Sequence, residues 1–279
     1  MVFNDKEGDT MAIITISHGS YSMGKQVAQK VAQKLGYDII SRDFLFNASD
    51  RFHIPQKELE KAIHDAPGVF EQYSHTKAVY LAYIRSTLTE LVVGGNIVYH
   101  GLAGHLLLNS LPQVLKIRIT AGLESRVKRR VKEGGSQQQA RAHIMEDDDQ
   151  RKKWTRKIYH ADPNDGSLYD LVIRIDKLSK EDAVGFICKA ASSKVFESSR
   201  DHIRQARDLS LACKLKAALV EGFPTVGVIC EYGNLLVYAG EKQAHLARFT
   251  KIMDQFQRKN VGIHNIEVHT GLAVPANAV

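Results

Sequence analysis

Cysteine, proline and tryptophan are all scarce in this chain of 279 residues, at three, six and one respectively. Cys188, Cys213 and Cys230 are odd in number and far apart, which excludes a disulfide framework and gives no metal-ligand spacing. They read as small core hydrophobes of a protein kept in a reducing compartment. No apolar run approaches the roughly 18 residues that a membrane-spanning helix needs. The opening MVFNDKEGDT is polar and acidic, without the apolar stretch of a secretory signal, so a cytoplasmic location is expected. Internal repeats and low-complexity tracts are missing too, and each segment has to be read on its own.

What is present is ordinary in amount and uneven in place. Apolar residues make up 44% and charged residues 25%, the proportions of a globular chain with ample core. The net charge is +7. Residues 126–157 hold 11 Lys/Arg against 5 Asp/Glu, an excess of 11 − 5 = +6. Nearly all the imbalance therefore lies in one segment, which favours a local anion site over a surface coated for nucleic acid.

AIITIS at 12–17 is a short continuous apolar run suited to a buried parallel strand. Val27, Val31 and Leu35 then recur every four residues beside Ala28 and Ala32, and Gly36 follows as a helix stop. A helix around 76–93, the run NIVYHG, the strand VLKIRIT at 114–120, a charged helix from Glu124 and the strand YDLVIRID at 169–176 continue the alternation. Strands alternating with helices imply a parallel sheet covered on both faces. This α/β domain is placed at 11–192. After the small, polar linker ASSKVFESSR the periodicity starts afresh. A helix, two strands around Tyr232-Gly233-Asn234, a second helix and a last strand give an αββαβ domain at 200–271.

Between the first strand and its helix stands GSYSMGKQ, residues 19–26. A loop at a helix N-terminus offers unpaired backbone N–H groups at the positive end of the helix dipole. Glycines let the backbone curl around phosphates, and a lysine after the second glycine reaches their oxygens. Gly19, Gly24 and Lys25 fit; Gln26 stands where a Ser or Thr would ligate Mg²⁺. Because phosphoryl transfer needs positioning and charge neutralisation, Arg126, Arg129, Arg130, Arg151 and Arg156 are candidate donors to the phosphates. Taken singly, each is as well explained as a solvated helix-face charge.

The ordered series ITISHGSYSMGKQVAQKVAQKLGYDIISRDF, IVYHGLAGHLLL, LPQVLKIRITAGLESRVKRR, DDDQRKKW and YDLVIRID resembles the cytidylate kinase-like family, relatives of the nucleoside monophosphate kinases. The resemblance implies a kinase-type P-loop sheet binding ATP and Mg²⁺. Gly19, Ser20, Tyr21, Ser22, Met23, Gly24, Lys25 and Gln26 would hold the donor phosphates, and Gln26 would meet Mg²⁺ through a water, so no direct protein ligand to the metal is expected. Lys25, Arg126, Arg130, Arg151 and Arg156 would act on the transferring group, the arginines as parts of a mobile lid. Asp43 and Gly101 fall in the acceptor region. There the chain departs from the family: Gly101-Leu102-Ala103 stands in place of Gly-Arg-Asp, and Phe44 and Leu45 replace small residues after Asp43. The second domain resembles a BON domain in element order and in VGVICEYGNLLVYAGE, which implies binding of a phospholipid or other small ligand.

Other groups carry ordinary readings. His100 and His105 lack a carboxylate at metal spacing, and Ser17 and His18 lack a third member of a nucleophilic triad. Asp147-Asp148-Asp149 reads as an exposed, salt-bridged run beside Arg151 and Lys152, and Trp154 as a packing residue. The expected function is an ATP-dependent phosphotransferase whose acceptor is unassigned, with a regulatory or ligand-binding second module; a homo-oligomer is compatible with it. A non-catalytic nucleotide sensor is the first rival. A nucleic-acid-binding protein is the last, since no reading helix or set of stacking aromatics is visible.

Overall fold

The computed structural model describes residues 12–41, 43–64, 75–101 and 103–279. Along the chain run β1 (Ile13–His18), α1 (Gly24–Leu35), β2 (Asp38–Ile40), α2 (Phe44–Phe52), α3 (Gln56–His64), α4 (His75–Val92), β3 (Ile97–His100), α5 (Gly104–Leu107), β4 (Val114–Thr120), α6 (Leu123–Lys132), α7 (Gln137–Tyr159), β5 (Leu171–Arg174) and α8 (Lys180–Ala191). The remainder forms α9 (Arg200–Leu219), β6 (Gly227–Glu231), β7 (Asn234–Ala239), α10 (Glu241–Ala244), α11 (Ala247–Lys259) and β8 (Asn265–Thr270). Among the described residues no helix is long and apolar enough to cross a membrane.

Two compact units result. The first takes the described residues up to Ser41 together with Gly94–Arg200; the second takes those up to Val93 together with Asp201–Val279. The linear boundary expected near 192–200 does not set apart residues 43–93, which group with the C-terminal region.

The first unit is built on a five-stranded sheet in the order β2-β3-β1-β4-β5, parallel throughout. Side chains alternate across a strand, so the sheet has two unlike faces. Ile14, Ile16, Val98, Leu115, Ile117, Ile119 and Ile173 point to one face, where Val27, Ala28 and Val31 of α1 and Ala183, Val184 and Ile187 of α8 complete an apolar core. The opposite face carries Thr15, Ser17 and Tyr99, all buried, and receives α5, whose Gly104 lies so near the Tyr99 ring and Thr15 that a Cβ would collide. Gly36 ends α1 at φ 69°, its N–H closing on the Ala32 carbonyl. Ser136 and Gln139 start α7 with reciprocal side-chain caps.

In the second unit β6, β7 and β8 form a small sheet in that order, β6–β7 antiparallel and β7–β8 parallel. Leu215 and Leu219 of α9 and Phe249 and Met253 of α11 cover it. The short α10 adds one element to the expected αββαβ order. Within the same unit Val79 and Tyr83 of α4 meet Ala217 and Val220, and the Tyr83 hydroxyl donates to Glu221 at 2.5 Å. This contact is why residues 43–93 belong with the C-terminal part.

Candidate functional site

Strand β1 delivers the chain into the loop 19–23, and α1 leaves it. Tyr21 (φ 57°) and Met23 (φ 68°) adopt the left-handed region while Ser22 between them does not. A non-glycine residue held there costs on the order of 1–3 kcal/mol. Left-handed residues interleaved with right-handed ones turn successive backbone N–H groups toward one point. Met23, at the head of α1, offers no side-chain cap, so the donors of the first turn are left for another acceptor. Gly24 is obligatory: a Cβ there would stand 2.3 Å from the Cβ of His18. The Ser22 hydroxyl donates to the Gly19 carbonyl at 2.8 Å and ties the loop to itself. Lys25 and Gln26 are exposed at the start of α1.

Helices α6 and α7 approach this loop with arginines. Arg126, 8% exposed, donates from Nε to the Ser20 carbonyl at 2.7 Å and forks onto both oxygens of Asp148 at 2.6 and 2.8 Å. Arg151 donates to the His18 carbonyl at 2.6 Å and pairs with Asp147 at 3.1 Å. The Ser20 hydroxyl donates to Asp147 as well. Arg129 donates to the carbonyls of Tyr21 (3.0 Å) and Ile175 (3.2 Å). Arg130 turns to the Gly134 carbonyl at 2.8 Å and lies 5.8 Å from the Tyr21 ring centre. Arg156 pairs with Asp162 at 2.8 Å in an exposed position.

The acidic run at 147–149 is therefore not simply a solvated face. The Asp147 side chain is only 10% exposed, and Asp147 and Asp148 both sit on loop or lid groups; Asp149 alone, paired with Lys153 at 2.6 Å, matches the surface reading. Trp154 is a packing residue, 1% exposed against Tyr159.

The loop and the arginines of α6 and α7 border a cavity of about 190 Å³. Gly19, Ser22, Ala103, Arg126 and Arg151 line it, together with Ser17, His18, His105 and Asp148, for which the sequence suggested ordinary roles, and Arg118 and Asn164, which no sequence motif singles out. Lys25, Arg130 and Arg156 are not among its lining residues. Gly101, with φ 154°, follows β3 where a Cβ would come 3.0 Å from the Tyr99 hydroxyl. Leu102 lies outside the described residues, and Asp43 is an exposed residue of the second unit, just before α2.

Both histidines of the cavity are held neutral. Burial lowers His18 to a pKa of about 4, with Arg151, His100 and Arg118 adding repulsion. Burial likewise lowers His105 to about 3, helped by Arg118 and Lys116. Hydrogen bonding fixes the tautomers. His18 Nδ1 faces the Gly19 carbonyl at 3.2 Å, an acceptor only, so Nδ1 carries the hydrogen and the buried Nε2 keeps an unpartnered lone pair. The Tyr169 hydroxyl gives its one hydrogen to the Pro163 carbonyl at 2.9 Å, so His105 Nε2, 3.2 Å away, must be the donor to it. His105 Nδ1 is then a bare acceptor without a partner. Two signals in the sequence could have found these groups: the apolar–charged alternation of VLKIRIT, and the nearness of His105 to a turn entering a helix. Among the described residues no cluster of three or more His, Cys, Asp or Glu side chains could hold a metal ion.

Residues 13–177, more than half of the chain, match the model of the cytidylate kinase-like family. The cytidylate kinase of Pyrobaculum aerophilum is 26% identical over 175 residues, covering 62% of this chain and 89% of the relative. That of Pyrococcus horikoshii is 29% identical over 181 residues, covering 64% and 87%. Among solved structures, an uncharacterized protein from Eubacterium ventriosum superposes with a TM-score of 0.51 at 20% identity, covering 66% of this chain and 99% of that one; the likeness is one of fold.

Proposed function

The chain belongs to the cytidylate kinase-like family, and from that premise we propose that it is an ATP-dependent phosphotransferase whose donor phosphates are held by the loop 19–25 and by Lys25. The observation that carries this reading is the strained loop itself. Tyr21 and Met23 are kept at positive φ, the head of α1 is uncapped, and Arg126 and Arg151 reach the loop carbonyls from α6 and α7. Local strain and an uncapped helix end beside a cavity are features that a bound anion would compensate.

The residues present suit a magnesium–nucleotide complex in which the metal rests on phosphate oxygens and water. Gln26 occupies the position of the usual hydroxyl, and its amide would meet the ion through a water. Bound there, Mg²⁺ would neutralise charge on the β/γ oxygens. Arg126 and Arg151 supply planar, permanent cations for the transferring group, and closure of α6 and α7 over it would exclude water. We place Arg130 and Arg156 in the outer lid, where the first steadies Tyr21 by its ring contact.

The cavity also narrows the acceptor. Asp148 is the sole carboxylate among its lining residues, and both its oxygens are taken by Arg126. An alcohol would need a base to accept its proton, and the neutral His18 and His105, with pKa values lowered to about 4 and about 3, are weak ones; an acceptor whose attacking oxygen is already ionised would need none. We therefore favour a small anionic acceptor. The related cytidylate kinases are named for cytidylate, but Gly101, Leu102 and Ala103 leave this chain without the arginine and aspartate expected for that nucleotide, so low turnover with CMP is expected. For the second unit we keep the BON-like ligand-binding role, which rests on its sequence pattern.

A panel of CMP, dCMP, UMP, AMP and small phosphorylatable acids with Mg-ATP, scored for ADP release, tests the reading. Release that depends on one acceptor and is lost in Lys25→Ala supports it. ATP binding without release for any acceptor would make the chain a nucleotide sensor instead. A rate of tens per second with CMP, ordinary for a kinase, would overturn the expectation for that substrate.

A further inference from the structure

Three arginines line the cavity, and they are not equivalent. Arg126 is matched by Asp148 and Arg151 by Asp147. Arg118 has no carboxylate partner among the described residues. Its Nη1 donates to the Ser17 hydroxyl at 2.9 Å and its Nη2 to the Asn164 side-chain carbonyl at 3.3 Å, both neutral acceptors. Its Nε is buried without a partner. The side chain starts from the middle sheet, where Arg118 of β4 stands in register with Ser17 of β1, on the face opposite the apolar core. Tyr169 backs it, the guanidinium lying 5.9 Å from the ring centre, and His105 packs on that same ring at 4.6 Å. A half-buried guanidinium with spare N–H groups and no opposite charge is costly to maintain. Its position, by contrast, is fixed from three sides.

Beside it, His105 is 4% exposed and presents an Nδ1 lone pair with nothing to bind. An uncompensated cation next to a neutral hydrogen-bond acceptor matches a ligand that carries an acid group and a neighbouring hydroxyl or acid O–H. Building on the phosphotransferase reading above, we propose that Arg118 is the acceptor-side anion-binding residue of this chain: it would hold the phosphate or carboxylate of the molecule to be phosphorylated, while His105 Nδ1 accepts a hydrogen bond from that molecule's O–H. The cation that the chain lacks at 101–103 is on this account supplied from β4.

The test is calorimetric and uses the full chain. The protein is saturated with Mg²⁺ and β,γ-imido-ATP, which fills the donor site through its third phosphate, and titrated with inorganic phosphate or with acetate at constant ionic strength made up with chloride. Phosphate or acetate should bind; the tighter of the two identifies the acid group. Arg118→Met should weaken that binding at least tenfold and leave the imido-ATP affinity within twofold. Asn164→Asp, an isosteric change at an exposed position, places a carboxylate against Arg118 and should weaken the anion similarly; it serves if Arg118→Met fails to fold. Lys25→Ala should do the reverse, lowering imido-ATP affinity and sparing phosphate. Wild-type binding no better than chloride, or unchanged binding in the folded variants, overturns the proposal. A parallel fall in both affinities would do so too, because Arg118 would then serve the donor site. If the chain binds no imido-ATP, the donor reading fails by itself. The same titrations without nucleotide then decide on Arg118.

Discussion

Two sets of buried or half-buried polar side chains, one in each unit, are built on opposite plans. In the second unit Asp208, 7% exposed, accepts from the N–H groups of Tyr232 and Gly233 at 2.9 Å each and from the Cys230 thiol at 3.4 Å. Nearby Lys216 donates to the carbonyls of Pro224 and Val226. Asp208 is met by two backbone N–H groups and a thiol, Lys216 by two carbonyls; the first pins the β6–β7 turn onto α9 and the second pins the approach to β6. In the first unit Arg118, His18 and His105 each keep a buried nitrogen without a partner around one cavity. Protein interiors rarely tolerate such groups. A satisfied polar cluster maintains shape; an unsatisfied one has room for a ligand. The open nitrogens face a cavity, whereas the carboxylate of Asp208 is spent on holding a turn.

The comparison can be broken at either end. Asp208→Ala removes an acceptor from two buried N–H groups, and a loss of about 3 kcal/mol in unfolding free energy is expected by denaturant titration, with ATP affinity unchanged. An effect on ATP instead of stability would erase the distinction between the clusters.

Next in size is an acid-sensitive term from the open cluster. His105 titrates near 3 in the folded chain and near 6.5 when unfolded. Between those values the unfolded state binds a proton that the native state does not, so stability is complete above pH 6.5 and falls as the pH drops toward 3. From pH 7.5 to 5.0 this one residue should cost about 2 kcal/mol. His105→Gln should flatten the pH–stability curve by that amount; an unaltered slope would mean that the imidazole is not held neutral.

Lys25→Ala sharpens the contrast from the binding side. A fall in ATP affinity of at least tenfold, about 1.4 kcal/mol, is expected with the thermal midpoint little moved. The smallest effect belongs to a pair that touches neither cluster. Lys153 and Asp149 are exposed partners one helical turn apart, and Lys153→Ala should leave both the denaturation midpoint and the ATP affinity unmoved.

Where local grammar fixes a feature, the sequence was a good guide. A buried strand, a loop with glycines at set places and an amphipathic helix can scarcely be arranged otherwise, and β1, the loop and α1 lie where that grammar puts them. The crowding of basic residues at 126–157 drew attention to Arg126 and Arg151, which reach the loop carbonyls. The remainder depended on partners far apart in the chain. Arg118 looks like one charge in a strand until β1 is laid beside β4, and His105 acquires its tautomer from Tyr169, 64 residues away. Asp147 and Asp148 share helical spacing with cations on their own helix, which suggested surface pairs; only folding brings Ser20 and Arg126 to them. Residues 43–93 show an apolar face, but periodicity does not say which surface covers it.

The carboxylates of α7 set the terms on which an anion could enter the cavity. With Asp148 forked onto Arg126, and Asp147 on both Arg151 and Ser20, the guanidinium groups that face the loop already have counter-ions. On the phosphotransferase reading proposed above, a nucleotide would not enter a bare positive hole; it would trade these carboxylates for its own phosphate oxygens. Such a site rewards only an anion that outcompetes two built-in monoanions, which a polyphosphate dense in charge does and chloride or a simple acid does not. Asp147 and Asp148 both stand on α7, so on that reading the exchange would be felt first along this helix.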